Sequence, residues 1–235
     1  MLGFSMSSKK LNAYRGPLSA AEIVAGINVA NANAFRLVED AQALLAAGRC
    51  PTAASLAALS IEESGKVSIL RQLATANSKE EVAAAWKSYR SHTRKNVQWL
   101  LPDLAMKGDR KLEDLRPLFK DDAEHPFVLD QVKQLGFYTD CLGNRHWSVP
   151  IDVVDEKLAR DLVQIAKLLV GRRETTVEEI ELWIRHIGAA PKDDLPAMKR
   201  ALASWYSAMQ DAGLRPCGIN EMERFINEGV PFPGD

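Results

Sequence analysis

The segment Ile61-Glu62-Glu63-Ser64-Gly65-Lys66 sets two carboxylates and an ammonium into an otherwise apolar stretch. Pro51 suits a first helical turn, and the pattern continues as one helix to about Leu73. At about 100° per residue, Leu56, Leu59, Val67 and Leu70 line up as one stripe with Glu63 at its centre. The opposite face, formed by Ala54, Ala57, Ala58, Ile61 and Gly65, is small enough for another helix to approach closely. With both faces packed, Glu63 is left little water, and a buried carboxylate is costly unless paired. Lys66 is in reach of Glu63 by helical phase and lies one turn from Glu62. Acid–base chemistry centred on Glu63 and Lys66 is one reading. A structural ion pair inside a bundle is the other.

A second group follows on what reads as the third helix, capped by Ser78 with Glu81 and ending before Pro102. Between Trp86 and Pro102 there is no acid, while Lys87, Arg90, Arg94 and Lys95 are all basic. Spacings of three and four put Lys87, Arg90 and Arg94 on one face, with Tyr89, His92, Asn96 and Trp99 on the adjoining one. Cations hold phosphate and rings stack on exposed bases, so this face suits RNA. A solvated basic stripe beside a core stripe is the plainer alternative.

These groups need elements to position them, and the elements read as helices throughout. Ser19 with Glu22 opens a helix to about Ala47, and Gly48 suits its end. The stretch from Pro102 to Asp122 is a long connection with room for one short helix. His125-Pro126 opens a helix to about Leu135, and Tyr138 to Pro150 reads as a turn or small hairpin. Asp152 opens a helix that runs to Gly171. Arg172-Arg173-Glu174 then forms a charged joint before three more amphipathic helices. The expected organisation is an all-α antiparallel bundle over residues 19–171 with a helical extension over 172–235.

The chain has 235 residues, enough for a proper core, and is 46% hydrophobic. A formal charge of −1 confines any nucleic-acid site to a local patch. Cys50, Cys141 and Cys217 are widely spaced, and no signal segment or membrane span is evident, which together favour a reducing cytoplasm. Gly65-Lys66 lacks the glycine and hydroxyl spacing of a phosphate-binding loop, and Cys141 with His146 lacks two further ligands. No metal or cofactor is therefore expected.

The order of the motifs carries a resemblance. Asn33-Ala34-Phe35-Arg36-Leu37-Val38-Glu39-Asp40-Ala41 with Leu44-Leu45 precedes Glu62-Glu63-Ser64-Gly65-Lys66. His92-Thr93-Arg94-Lys95, Gly136-Phe137-Tyr138-Thr139-Asp140 and Trp147-Ser148-Val149-Pro150 follow. This resembles the AbiV family of abortive infection proteins, a branch of the HEPN superfamily of helical bundles, over roughly residues 20–170. The resemblance implies a defence role against phage, either by action on RNA or translation or as a non-catalytic module triggered by a phage protein. It implies that Glu62, Glu63, Lys66, His92 and Lys95 face one another across two helices. The site expected from it has Glu63, Lys66 and His92 as catalytic residues, with Glu62, Arg90, Arg94, Lys95, Lys133 and Tyr138 binding. It also implies a two-fold homodimer, for which the small face of the second helix is the expected surface.

One departure matters. Nuclease members of the superfamily carry R-x(4–6)-H, and no histidine here has an arginine at that spacing. The nearest equivalent runs from Lys133 to Tyr138. Lysine lacks the bidentate fork of arginine, and tyrosine is a poorer base at neutral pH than histidine.

Overall fold

The computed structural model describes residues 12–229 apart from 103, 105–110, 116–117, 119–122, 144 and 192. Two long helices dominate it, α1 (Ala20–Ala46) and α2 (Cys50–Ala74), joined at Gly48, whose φ of 71° turns the chain back. The capping box of Ser19 and Glu22 starts α1, and Pro51 stands in the first turn of α2. α2 is the axis of the bundle. Its small face is fully buried: Ala54 and Ala57 are 0% exposed, and Ala58 and Ile61 are 1% exposed. These residues pack with Ala34, Val38 and Ala41 of α1 and with Leu162, Val163 and Ala166 of α8 (Glu156–Leu169). The surface expected to join two copies is therefore used inside one chain and is closed to a second.

Ser78 caps α3 (Lys79–Arg90), as expected, but the helix does not run on toward Pro102. The chain leaves helical geometry at Ser91 (φ −85°, ψ 128°), whose hydroxyl caps a new turn, α4 (His92–Lys95), followed by a 3₁₀ turn over Val97–Leu100. The break re-aims His92 and Lys95 toward α2. It also cancels the phase that would have put Lys87, Arg90 and Arg94 on one face.

After α5 (Leu112–Leu115), the short helix that the connection had room for, α6 (His125–Phe137) crosses the start of α2. Gly108 and Pro117 lie outside the described residues. A hairpin follows, β1 (Asp140–Leu142) pairing antiparallel with β2 (His146–Ser148), Cys141 opposite Trp147. Its turn holds Gly143 and Arg145 at positive φ. α7 (Pro150–Val153) and α8 come next, and Asp155 rather than Asp152 caps α8.

The extension comprises α9 (Val177–Ile187), α10 (Leu195–Asp211) and α11 (Glu221–Glu228). Ile180 of α9 joins Ile23, Ile27, Leu70 and Trp86 in one core, and Leu182, Trp205 and Met209 form another. No helix among the described residues is long and apolar enough to cross a membrane.

Two glycines set the spacing around α2. A Cβ on Gly65 would lie 2.0 Å from the carbonyl oxygen of Lys95, so α4 rests directly on the α2 backbone there. A Cβ on Gly136 would meet Ser55 Oγ at 2.3 Å and Pro51 O at 2.8 Å, which lets α6 sit equally close. Gly65→Ala must push α4 outward, since the obstacle is backbone. The expected cost is about 1–3 kcal/mol in urea unfolding, the usual scale for overpacking. A change below about 0.5 kcal/mol, the scale of a neutral surface substitution, would contradict this packing.

Candidate functional site

Glu62, on the side of α2 that also carries Ser55, is 3% exposed. Two other helices converge on its carboxylate. From α6, Lys133 Nζ donates to Oε1 at 2.7 Å. From α4, Lys95 Nζ lies 3.2 Å from Oε2, and His92 Nδ1 lies 2.8 Å from the same oxygen. Lys133 Nζ also donates to Asp130 Oδ1 at 2.6 Å, one turn back on α6. Lys95 and Lys133 are themselves buried, and with Glu62 and the partly exposed Asp130 they make two ammoniums balanced by two carboxylates. The α6 backbone is tied down nearby, where Ser55 Oγ donates to the Lys133 carbonyl at 3.1 Å.

The charges are set by their neighbours. Burial pushes the Glu62 carboxyl up. Hydrogen bonds from Lys133 and His92, with the charges of Lys95 and Lys133, outweigh this and hold it below its ordinary value of 4.5. Burial acts to lower the Lys133 ammonium, but Asp130 and Glu62 hold it above its ordinary 10.5. An ionised carboxylate only accepts, so Glu62 requires the proton of neutral His92 to be on Nδ1. That leaves Nε2 with its lone pair on a side chain that is 60% exposed. The pair thus offers a proton acceptor at the surface, oriented from beneath by a buried carboxylate.

Glu62, His92 and Asp130 bring ligand atoms within 4.8 Å of one another, a spacing open to a metal ion. Lys133 Nζ already lies within hydrogen-bonding distance of both carboxylates and 3.5 Å from His92 Nδ1. The ammonium thus takes the place that a metal ion would need.

The other expected site residues divide. Glu63 does not hold the buried position: it pairs with Lys66 at 2.6 Å, both side chains 18% exposed, and Lys66 sits 5.3 Å from the Tyr89 ring. The reason is tertiary, because α4 and α6 pack on the Glu62 side of α2. Arg90 is exposed but tied to its own chain, donating to the carbonyls of Trp86 and Tyr14 and stacking on the Trp86 ring at 5.0 Å. Arg94 is exposed on α4, its backbone nitrogen bonded to the Ser91 hydroxyl. Lys133 enters the cluster but Tyr138 does not accompany it. Tyr138 lies just past the end of α6, 62% exposed and edge-on to Phe137. Asp130 escaped the sequence reading, although its spacing of three from Lys133 was the available signal.

The HEPN_AbiV family profile matches residues 22–171, well over half of the chain. The chain belongs to the AbiV family. No curated protein and no solved structure matches it. The AbiV match takes in every residue of the Glu62 cluster and stops at Gly171, before α9. Membership in this family points to abortive infection, a defence against phage.

The cluster has a pH signature. Glu62 is held below 4.5, so it adds stability above that pH and loses it as pH falls through the folded value. Lys133 is held above 10.5, so its contribution is full below that pH and is lost as pH rises through the folded value. Glu62→Gln leaves two buried ammoniums short of a counter-charge. It should cost about 3–5 kcal/mol near neutral pH in urea unfolding and flatten the acid limb of the stability curve. An acid limb as steep as that of the wild type would show that Glu62 is not the ionised hub.

Proposed function

We propose that this AbiV protein acts on RNA during abortive infection, with His92 as its acid–base group and Glu62 as the residue that orients it. The observation that carries the reading is the 2.8 Å contact between buried Glu62 and His92 Nδ1, with most of the His92 side chain exposed. In this arrangement Nε2 removes the proton of a ribose 2′-hydroxyl, and the resulting imidazolium is stabilised by the carboxylate behind it. Lys95 and Lys133 keep that carboxylate ionised rather than reaching for phosphate, since both are buried. Phosphate contact would fall to the exposed rim around α4, where Arg94 stands. The role of Glu63 and Lys66 becomes a supporting one, beside Tyr89.

A second reading has its own observation. Phe127, Tyr138, Trp147 and Ile151, around α6, the hairpin and α7, are 57%, 62%, 65% and 70% exposed. Large exposed apolar side chains of this kind favour a protein partner, either the phage trigger or a second copy of the chain. On that reading the Glu62 cluster only fixes the packing of α4 and α6 on α2.

His92 variants separate the two. Under the RNA reading, His92→Ala and His92→Gln each lose RNA cleavage in infected cells by about 10²-fold or more, and phage protection falls with it, while both variants stay folded by circular dichroism. Protection that survives in a folded His92→Ala protein would remove the acid–base role. If Trp147→Asp with Ile151→Asp then abolished protection, the partner reading would stand in its place.

A further inference from the structure

A second charged cluster lies where the AbiV bundle meets the C-terminal helices, away from His92. Glu179, in the first turn of α9, is 1% exposed, and a different guanidinium takes each of its oxygens. Arg71 of α2 donates to Oε1 at 3.0 Å, and Arg173 of the charged joint donates to Oε2. Arg172 and Arg215 line the same cavity, of about 500 Å3, and neither has an ion pair among the described residues. Four guanidiniums thus line a cavity whose one lining carboxylate, Glu179, is already paired, with Glu174 on the far side of the joint.

That excess is a physical problem for the protein alone. Arg71 is held below the ordinary range of an arginine, first by burial, with Glu179 opposing and the charges of Arg215 and Arg173 adding to it. The Nε atoms of Arg71 and Arg215 are buried with no acceptor, in contrast to the usual satisfaction of buried donors. Trp183 and Trp205 lie 5.3 Å and 5.9 Å from the Arg71 guanidinium, which spreads its charge without neutralising it. A multiply charged anion resolves the imbalance, and planar guanidiniums are matched to phosphate oxygens.

The surroundings narrow the class of ligand. A second cavity, of about 520 Å3, shares Asn31, Gly171, Arg172 and Arg173 with the first and is walled by Ala32 and the ring of Phe35, which is 40% exposed, with Asn28 and Glu174 at its edge. The cationic space and the largely apolar one therefore adjoin across the joint. We propose that the arginine-lined cavity binds a small ligand carrying a di- or triphosphate, with its organic part in the adjoining cavity against Phe35. Such a ligand bridges α2, the Arg172–Arg173 joint and the segment after α10, so it ties the C-terminal helices to the bundle.

Calorimetry on the full chain with ATP, inorganic pyrophosphate, adenosine and a short RNA oligonucleotide tests this. ATP and pyrophosphate should bind and adenosine should not. Arg215→Gln and Arg172→Gln should each weaken binding about tenfold, the scale of one charged hydrogen bond. Phe35→Ala should weaken ATP but leave pyrophosphate unchanged, which separates the organic part from the phosphates. Circular dichroism confirms folding of each variant, and Arg71 is left intact because it holds the ion pair with buried Glu179. The proposal is overturned if neither phosphate compound binds, if both arginine variants bind as the wild type does, or if only the RNA oligonucleotide binds.

Discussion

Glu62 carries a negative charge in a place with almost no water, and two other helices are arranged so that it can. Lys95 and His92 come from α4 and Lys133 from α6, with Asp130 sharing the charge of Lys133. Close approach of both helices to α2 accompanies these contacts. Gly65 lets the Lys95 backbone touch α2, and Gly136 does the same for α6 near Ser55. The turn at Ser91 is part of the same solution, since a straight α3 would carry His92 past the carboxylate. A buried ion pair of this kind does little for net stability, but it punishes any arrangement that leaves one member alone. It therefore selects one register of α2, α4 and α6.

That selection links fold and chemistry. The same carboxylate that ties three helices together decides which nitrogen of His92 holds the proton. Lys133 fills the space between Glu62 and Asp130, so the cluster is completed by the protein's own cation. His92 extends furthest from this network into solvent, with Asp130 partly exposed beside it. The acid–base reading uses that asymmetry, with a rigid, fully paired interior and one exposed ring whose orientation is fixed from within.

Local signals made most of the helices legible. Ser19 with Glu22, Ser78, Thr176 and Asn220 all cap helices where their spacing indicated. The importance of the acid pair was also legible, but not which acid is buried. Helical phase singled out Glu63 within the leucine stripe, whereas Leu56, Leu59 and Val67 turn out only half-buried. Glu62 is chosen by Lys133, 71 residues away on α6, and no local pattern encodes that pairing. The break at Ser91 was hidden because no acid stands three residues on to complete a capping box. The meeting of Arg71 with Glu179 spans 108 residues and was equally out of reach.

The central claim is that an ionised, buried Glu62 holds His92 through Nδ1. Nitrogen-15 spectra of the His92 imidazole, taken on the wild-type protein and on Glu62→Gln, test it most directly. The account predicts neutral His92 in the Nδ1–H form, with Nε2 carrying the lone pair, and a shift away from that form in the variant. Neutral His92 in the Nε2–H form in both proteins would contradict it.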